Sequence, residues 1–263
     1  MKNYSISVAL LVLLLVACMG KVEEEKPVTF SETGLINFVR DSQNKNDSIA
    51  LRNLDSLLEA NTTDSTVFLH TFTLLDKYYG DPNSLYRNEA MHAALLQAKM
   101  QSPWTDSMSK ARTREKLYLL MQNRVGKAAN DFTYTTPEGE KKKLYDISAN
   151  YTLLFFYNPE CPACTEMKTA LNHSERIQSK ISRQRLKVLA IYTDKDATIW
   201  RKHLPENPAY WINARDENEY LWKNKIYDLR AIPTVYLLDR EKKVLVKDAM
   251  TVREIENVLD GGE

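Results

Sequence analysis

The chain has 263 residues, too many for one average domain and comfortable for two. It is 43% hydrophobic and 27% charged, which is ordinary for a folded soluble protein. Lys and Arg number 36 against 35 Asp and Glu, a formal net charge of +1, and this balance argues against a nucleic-acid partner, which calls for a basic surface. Seven glycines suit a helix-rich chain, and three cysteines, Cys18, Cys161 and Cys164, are too few for a disulfide-stapled scaffold.

Residues 1–17 read as an export signal. Lys2 gives a short basic start, and Val8 to Ala17 is a continuous apolar run, too short to span a bilayer. The run ends Leu15-Val16-Ala17-Cys18, which resembles the lipobox of bacterial lipoproteins. That resemblance implies that Cys18 is lipidated and holds the protein to a membrane of the bacterial cell envelope, facing the periplasm or the cell surface. The alternative is an ordinary cleaved signal with a chance cysteine. Residues 18–28 are polar and aperiodic and read as a lipid-anchored linker. Their glutamates resemble surface-export signals of Bacteroidetes-type lipoproteins, or belong to a solvated tether.

Residues 29–124 read as an all-α domain of four or five helices. The first segment, around Leu35 to Val39, is the weakest. Asn46-Asp47-Ser48 offers a cap, followed at helical spacing by Leu51, Leu54 and Leu58. Thr63-Asp64 caps a helix that carries Phe68, Phe72, Leu75 and Tyr79 on one face, and Gly80-Asp81-Pro82-Asn83 breaks it. Ser84 is the expected cap of the next, with Ala90, Ala93, Leu96 and Met100 inside; Ser102-Pro103 ends it. A last helix from about Thr105 is expected to bury Met108, Leu117, Leu120 and Met121. Short connections favour antiparallel neighbours in a bundle. Nothing in this half looks catalytic, and His70 and His92 lack a ligand pattern, so they read as surface or packing residues. This half resembles an uncharacterised helical domain of Bacteroidetes-type lipoproteins, which implies no known activity.

From Gly126 the pattern changes. Phe132–Thr135 and Lys142–Tyr145 flank Pro137-Glu138-Gly139-Glu140 as a hairpin, with Asp146 to Asn150 a helical turn. Tyr151 to Tyr157 reads as a buried strand. It runs into Asn158-Pro159-Glu160-Cys161-Pro162-Ala163-Cys164 and then a helix from Pro162 to about Ile181, with Met167, Leu171, Ser174, Ile177 and Ile181 on one face. Leu186 to Tyr192 is a second apolar strand, Asp194 to His203 a helix containing Trp200, Tyr210 to Asn213 a short strand and Glu217 to Lys225 a helix. Thr234–Asp239 and Lys243–Lys247 are antiparallel strands, and Val252–Leu259 is a closing helix. Strands alternating with helices over 125–263 make an α/β domain. Asp194-Lys195-Asp196 reads as a helix cap rather than a cation site.

Two cysteines two residues apart at a strand-to-helix junction are the arrangement of a redox-active dithiol. A zinc site would need two further ligands, and there is no second CxxC; His173 lies nine residues beyond Cys164 and His203 is distant. No cofactor or metal is expected.

Residues 126–262 resemble the thioredoxin fold, and within it the membrane-tethered TlpA/ResA-like thiol-disulfide oxidoreductases. Three stretches carry the resemblance. Gly126 to Phe132 is similar to a G-x-x-A-P-D-F opening with Asn130 in place of proline, Leu153 to Cys164 to the strand-turn-CxxC block, and Ala231-Ile232-Pro233-Thr234-Val235 to the cis-proline segment. The implied fold is a central mixed sheet flanked by helices. The implied activity is disulfide exchange with exported proteins. A Glu160 charge aimed at the sulfur makes the disulfide harder to reduce and favours the reductive direction, which needs a membrane dithiol electron donor; in the oxidising direction the same steps run backwards. Cys161, at a helix N-terminus whose dipole favours a negative sulfur, is the expected nucleophile, and Cys164 the resolving thiol. Pro233 is expected in cis beside the dithiol, and Ile232 offers backbone groups to substrate. Glu160 stands where the family has tryptophan, and it tunes Cys161 if it points at the sulfur. Phe155 and Met167 occupy positions where relatives carry a proton-handling acid, with Glu166 one place from the second. A peroxidase calls for threonine three residues before its nucleophile, and that position is Asn158. The competing reading is a scaffold, in which the helical domain recruits an envelope partner and the dithiol has little role.

Overall fold

The computed structural model describes residues 31–60 and 64–261. The expectations for the signal, for Cys18 and for the linker fall outside them.

Five helices come first: α1 (Glu32–Gln43), α2 (Asp47–Ala60), α3 (Ser65–Gly80), α4 (Glu89–Gln101) and α5 (Ser107–Leu120). Side-chain oxygens meet the unpaired N–H groups of their first turns, as helix ends require. Asn46 accepts from Ile49 N at 3.0 Å, Asp64 from Val67 N at 3.0 Å, and Asp106 from Met108 N and Ser109 N at 2.9 Å. Leu54, Leu58, Phe68, Phe72, Leu75 and Tyr79 are buried as their spacing predicts. Two expectations fail. Helix α4 starts at Glu89 behind Asn88, because Ser84 spends its hydroxyl on the N–H of Tyr86 within a turn. Met108 and Met121 are 65% and 41% exposed: α5 packs along α4 and joins the helical core through Leu117 and Leu120.

The second half is a seven-stranded sheet in the order β2-β1-β5-β4-β3-β6-β7. The strands are β1 (Thr133–Thr135), β2 (Lys141–Lys143), β3 (Tyr151–Tyr157), β4 (Leu186–Tyr192), β5 (Ile212–Arg215), β6 (Thr234–Leu238) and β7 (Val244–Val246). Strands β3, β4 and β5 run parallel, and the others pair antiparallel. Strand β3 is central and covered on both faces, which is why it reads as an unbroken apolar run rather than an alternating one. Leu153, Phe155 and Tyr157 join one core with Trp200 and Leu171. Leu154 and Phe156 join a second core with Phe132, Tyr227 and Tyr236. Each buried phenylalanine contributes several kcal/mol, about 3–5 by the cost of truncation to alanine.

Helices α6 (Pro162–His173), α7 (Glu175–Ser182), α8 (Ala197–His203), α9 (Tyr220–Lys223) and α10 (Val252–Asp260) complete the domain. The helix expected from Pro162 to Ile181 is two helices. Ser174, extended at φ −71° and ψ 110°, ends α6 and caps α7 by accepting from Ile177 N. The apolar spacing stays in phase across the break and hides it. The helix expected over Glu217–Lys225 shrinks to α9, because Asn218 and Glu219 both adopt positive φ, 63° and 56°. The strand expected at Tyr210–Asn213 lies two residues on, and the turn expected at Asp146–Asn150 is a 3-10 turn at Leu144–Asp146. Asp196 caps α8 through Thr198 N and Ile199 N, the role expected of that acidic stretch.

The two halves are fastened together. Lys247, at the end of β7, donates to the carbonyls of Leu120 (2.7 Å) and Gln122 (2.9 Å) and pairs with Glu89 at 2.7 Å. It thus satisfies the last carbonyl of α5 and one in the turn that follows, while its side chain is 5% exposed. Asn123 donates to Ile226 O at 2.8 Å, and Arg87 pairs with Asp248.

Candidate functional site: a dithiol at a strand-to-helix turn

Strand β3 ends at Tyr157, and four residues later the chain enters α6. Asn158 builds the turn: its Oδ1 accepts from Glu160 N at 2.9 Å and its carbonyl from Cys161 N at 3.1 Å. Cys161 is the N-cap of α6, with Pro162 in the first turn, where a missing N–H costs nothing. Its thiol is half-buried, and Sγ donates to the carbonyl of Ile232 at 3.7 Å. The Ile232–Pro233 bond is cis and immediately precedes β6, the antiparallel neighbour of β3. Adjacent strands therefore bring Cys161 and the Ile-Pro segment together across 71 residues of sequence.

Cys164 lies one helical turn inward and is 1% exposed, within the core that holds Tyr157 and Met167. Both thiols are free. Burial pushes the Cys164 thiol up to about 12; an Asn158 backbone hydrogen bond opposes this, and hydrogen bonding and charge from Cys161 add to it. The two sulfurs are thus unequal. The outer one sits at the open end of a helix, and the inner one holds its proton firmly.

The neighbouring positions sort by exposure. Glu160 is exposed, so its charge is screened by water. Phe155 is fully buried and Met167 is 8% exposed, so neither supplies an acid to Cys164. Glu166 is exposed on the outer face of α6. The polar group on the inner side is Tyr157, whose hydroxyl accepts from Asn207 Nδ2 at 2.6 Å. Burial raises this phenol to about 12, against the hydrogen bond from Asn207. Asn207 lies between segments without a motif, so nothing in the sequence pointed to it.

His173 and His203 are used locally, against Thr169 O at 2.8 Å and Glu206 at 2.7 Å. Among the described residues no three His, Cys, Asp or Glu side chains cluster as metal ligands. His70 is exposed, and His92 is buried against Asp76 at 2.9 Å, which also takes Lys116 at 2.8 Å. Burial works to raise Asp76, but these two partners outweigh it and hold the carboxyl at about 2.

Residues from both halves line one cleft of about 860 Å³ that opens beside the dithiol. Ala163, Met167, Ile232 and Pro233 form its redox side, and Asp76, Lys77 and Asn83 its helical side.

Comparison with known proteins matches residues 125–247 to the AhpC/TSA family and residues 24–123 to a domain of unknown function, DUF5106. The chain is similar to the crystal structure of a thioredoxin-like protein from Bacteroides caccae, at 38% identity and a TM-score of 0.84, over 88% of this chain and 83% of that one. It is also similar to the C-terminal domain of an uncharacterized protein from Bacteroides fragilis, at 45% identity and a TM-score of 0.51, over 52% of this chain and 98% of that one. Comparison with curated proteins found no match.

Proposed function

Because the chain belongs to the thioredoxin-like proteins, with an AhpC/TSA-family domain behind a DUF5106 domain, we propose that it is a thiol-disulfide oxidoreductase that reduces disulfides of exported proteins. One observation carries this reading: a half-exposed Cys161 at the N-terminus of α6, facing the Ile232–Pro233 segment, with Cys164 buried behind it.

The step balances as follows. Cys161, as thiolate, attacks one sulfur of the partner's cystine. The partner's S–S bond breaks, a bond from Cys161 to the partner forms, and the other partner sulfur leaves as a thiolate. Cys164 then gives up its proton and attacks the sulfur of Cys161. The partner departs as a dithiol, two electrons richer, and Cys161–Cys164 becomes a disulfide. The high proton affinity of Cys164 means this second attack needs a base. The thiolate just released from the partner is one, generated in the right place. Ile232 supplies a carbonyl at the mouth of the site, and Pro233 shapes that segment. A membrane dithiol donor would recharge the pair, and a lipid on Cys18 would keep the protein beside that donor.

The test is a Cys164→Ser variant expressed in the native host. It should accumulate mixed disulfides through Cys161, identified by mass spectrometry, and these should vanish when Cys161 is also replaced. A folded Cys164→Ser protein that traps nothing would overturn the reading. The scaffold alternative predicts unchanged partner capture when both cysteines are replaced.

A further inference from the structure

Cys164 must pass through a thiolate to close the disulfide, yet it is 1% exposed and neither Phe155 nor Met167 offers it a charged partner. We propose that the hydroxyl of Tyr157, oriented by Asn207, donates to the sulfur of Cys164 as it becomes a thiolate, so that a neutral hydrogen bond takes the place of a charged partner. This deepens the redox reading above and rests on it, since the residue assigned is one more member of the same site.

Side chains alternate along a strand, so Leu153, Phe155 and Tyr157 share the face of β3 that packs with Cys164, Met167 and Leu171 of α6. Tyr157 is the last residue of β3 and α6 begins at Pro162, so Cys164 in the first turn lies back over that end of the strand. Burial and, among lesser causes, charge on Cys164 hold the phenol proton, which puts the two groups within electrostatic reach. The direction of the hydrogen bonds is fixed from the far end, because a backbone carbonyl can only accept. Trp211 O takes Asn213 Nδ2 at 3.3 Å, which turns Asn213 Oδ1 toward Asn207 Nδ2 at 2.8 Å. The second proton of that amide goes to the Tyr157 oxygen at 2.6 Å. The phenol is therefore an acceptor from Asn207, and its own O–H is left for another atom. Among the described residues none accepts it in the reduced protein. The surroundings point the same way. Trp200 Nε1, Trp211 Nε1 and the Tyr192 hydroxyl belong to the core that holds Cys164 and have no hydrogen-bond partner among the described residues, against one such acceptor, Asn207 Oδ1. Tyr192 is the register partner of Tyr157 on β4, with ring centroids 6.4 Å apart. A buried pocket with more donors than acceptors favours a negative atom inside it. The charged groups nearby do not supply that help. Glu206, Asp194, Asp196 and Glu160, the carboxylates that act on these two phenols, oppose a thiolate. Lys168, one helical turn past Cys164, is paired with Glu206 at 3.9 Å.

Tyr157→Phe deletes the hydroxyl and keeps the ring that stacks on Phe155 at 5.2 Å. Reduced full-length protein is mixed in stopped flow with one equivalent of dithiobis(nitrobenzoate), an aromatic disulfide. Two coloured thiolates leave in turn, the first when Cys161 attacks the reagent and the second when Cys164 attacks the sulfur of Cys161. For Tyr157→Phe at neutral pH the first phase should stay within twofold of wild type and the second should slow at least tenfold, the scale of one hydrogen bond to a charged group. A smaller fall in the second phase overturns the proposal, and so does an equal fall in both. Replacing Tyr157 by 3-fluorotyrosine separates hydrogen bonding from packing, because the more acidic phenol is a stronger donor of nearly the same shape. Burial holds the wild-type phenol at about 12, so the fluorinated one keeps its proton at neutral pH. Its second phase should run faster than wild type, and a rate equal to wild type or slower overturns the proposal. Wild-type protein that releases only one thiolate does not close its disulfide, which refutes the redox reading. Release of both with no effect at Tyr157 refutes this assignment alone.

Discussion

Two sulfurs three positions apart sit in different solvents. Cys161 touches water and a carbonyl, while Cys164 is 1% exposed and its thiol is pushed up to about 12. Iodoacetamide should therefore label Cys161 and spare Cys164 in the reduced protein at pH 8 to 9, as read by peptide mass mapping. Comparable labelling of Cys164 in that window would mean that it is not buried as described. Alkylation needs both access and thiolate, and Cys164 lacks both. The CxxC pattern, and which of the two sulfurs lies outermost, were legible from position relative to β3 and α6. The absence of an acid behind Cys164 was legible too, from Phe155 and Met167. The polar neighbour that stands there instead, Tyr157 with Asn207, was not, because the two are 50 residues apart and meet only through the packing of the sheet.

At the scale of elements, capping decides where helices stop. Ser174 splits one apolar stripe into α6 and α7, and its hydroxyl also donates to Glu256 on α10 at 2.6 Å. Asp216 plays a comparable part before α9, accepting from Tyr220 N at 3.1 Å and Leu221 N at 2.9 Å while 1% exposed. Burial raises its carboxyl to about 6, and those two backbone hydrogen bonds only partly offset the shift. The folded protein thus holds the Asp216 proton more tightly than the unfolded chain, whose carboxyl titrates at the ordinary 3.8. The stabilisation this gives is complete below pH 3.8 and is lost as pH rises to about 6. Asp216→Asn removes the charge together with one of the two acceptor oxygens. It should flatten the stability profile between those limits in urea unfolding, whatever the lost hydrogen bond costs at every pH. A variant whose profile parallels wild type through that window would contradict the assignment. The pair of left-handed residues beside it, Asn218 and Glu219, shortened a helix that propensity alone would have extended.

For the whole molecule the question is whether two domains behave as one body. Lys247 answers it by crossing from β7 to the carbonyl end of α5 and to Glu89. Lys247→Met removes three charge-assisted contacts and leaves the carbonyls unpaired. The expected cost is about 2–4 kcal/mol, and calorimetry should resolve a single unfolding transition into two. One unshifted transition would show that the fastening lies elsewhere. Seen this way, the helical half is more than a spacer. It carries the far wall of the cleft beside Cys161, although none of its residues looks like a site by itself.

Local chemistry in the sequence was enough to determine the two-part organisation, the central strand, the dithiol at the mouth of a helix and the proline segment that faces it. These rest on periodicity, on apolar runs and on short motifs, all of which act over a few residues. Tertiary structure alone decided which face of α5 is buried, where α6 breaks, what lies behind Cys164 and that Lys77 and Asn83 look across a cleft at Pro233. Those outcomes depend on which surfaces meet. Such meetings are settled by burial and by pairing of polar groups between segments far apart in the chain, and neither leaves a local trace.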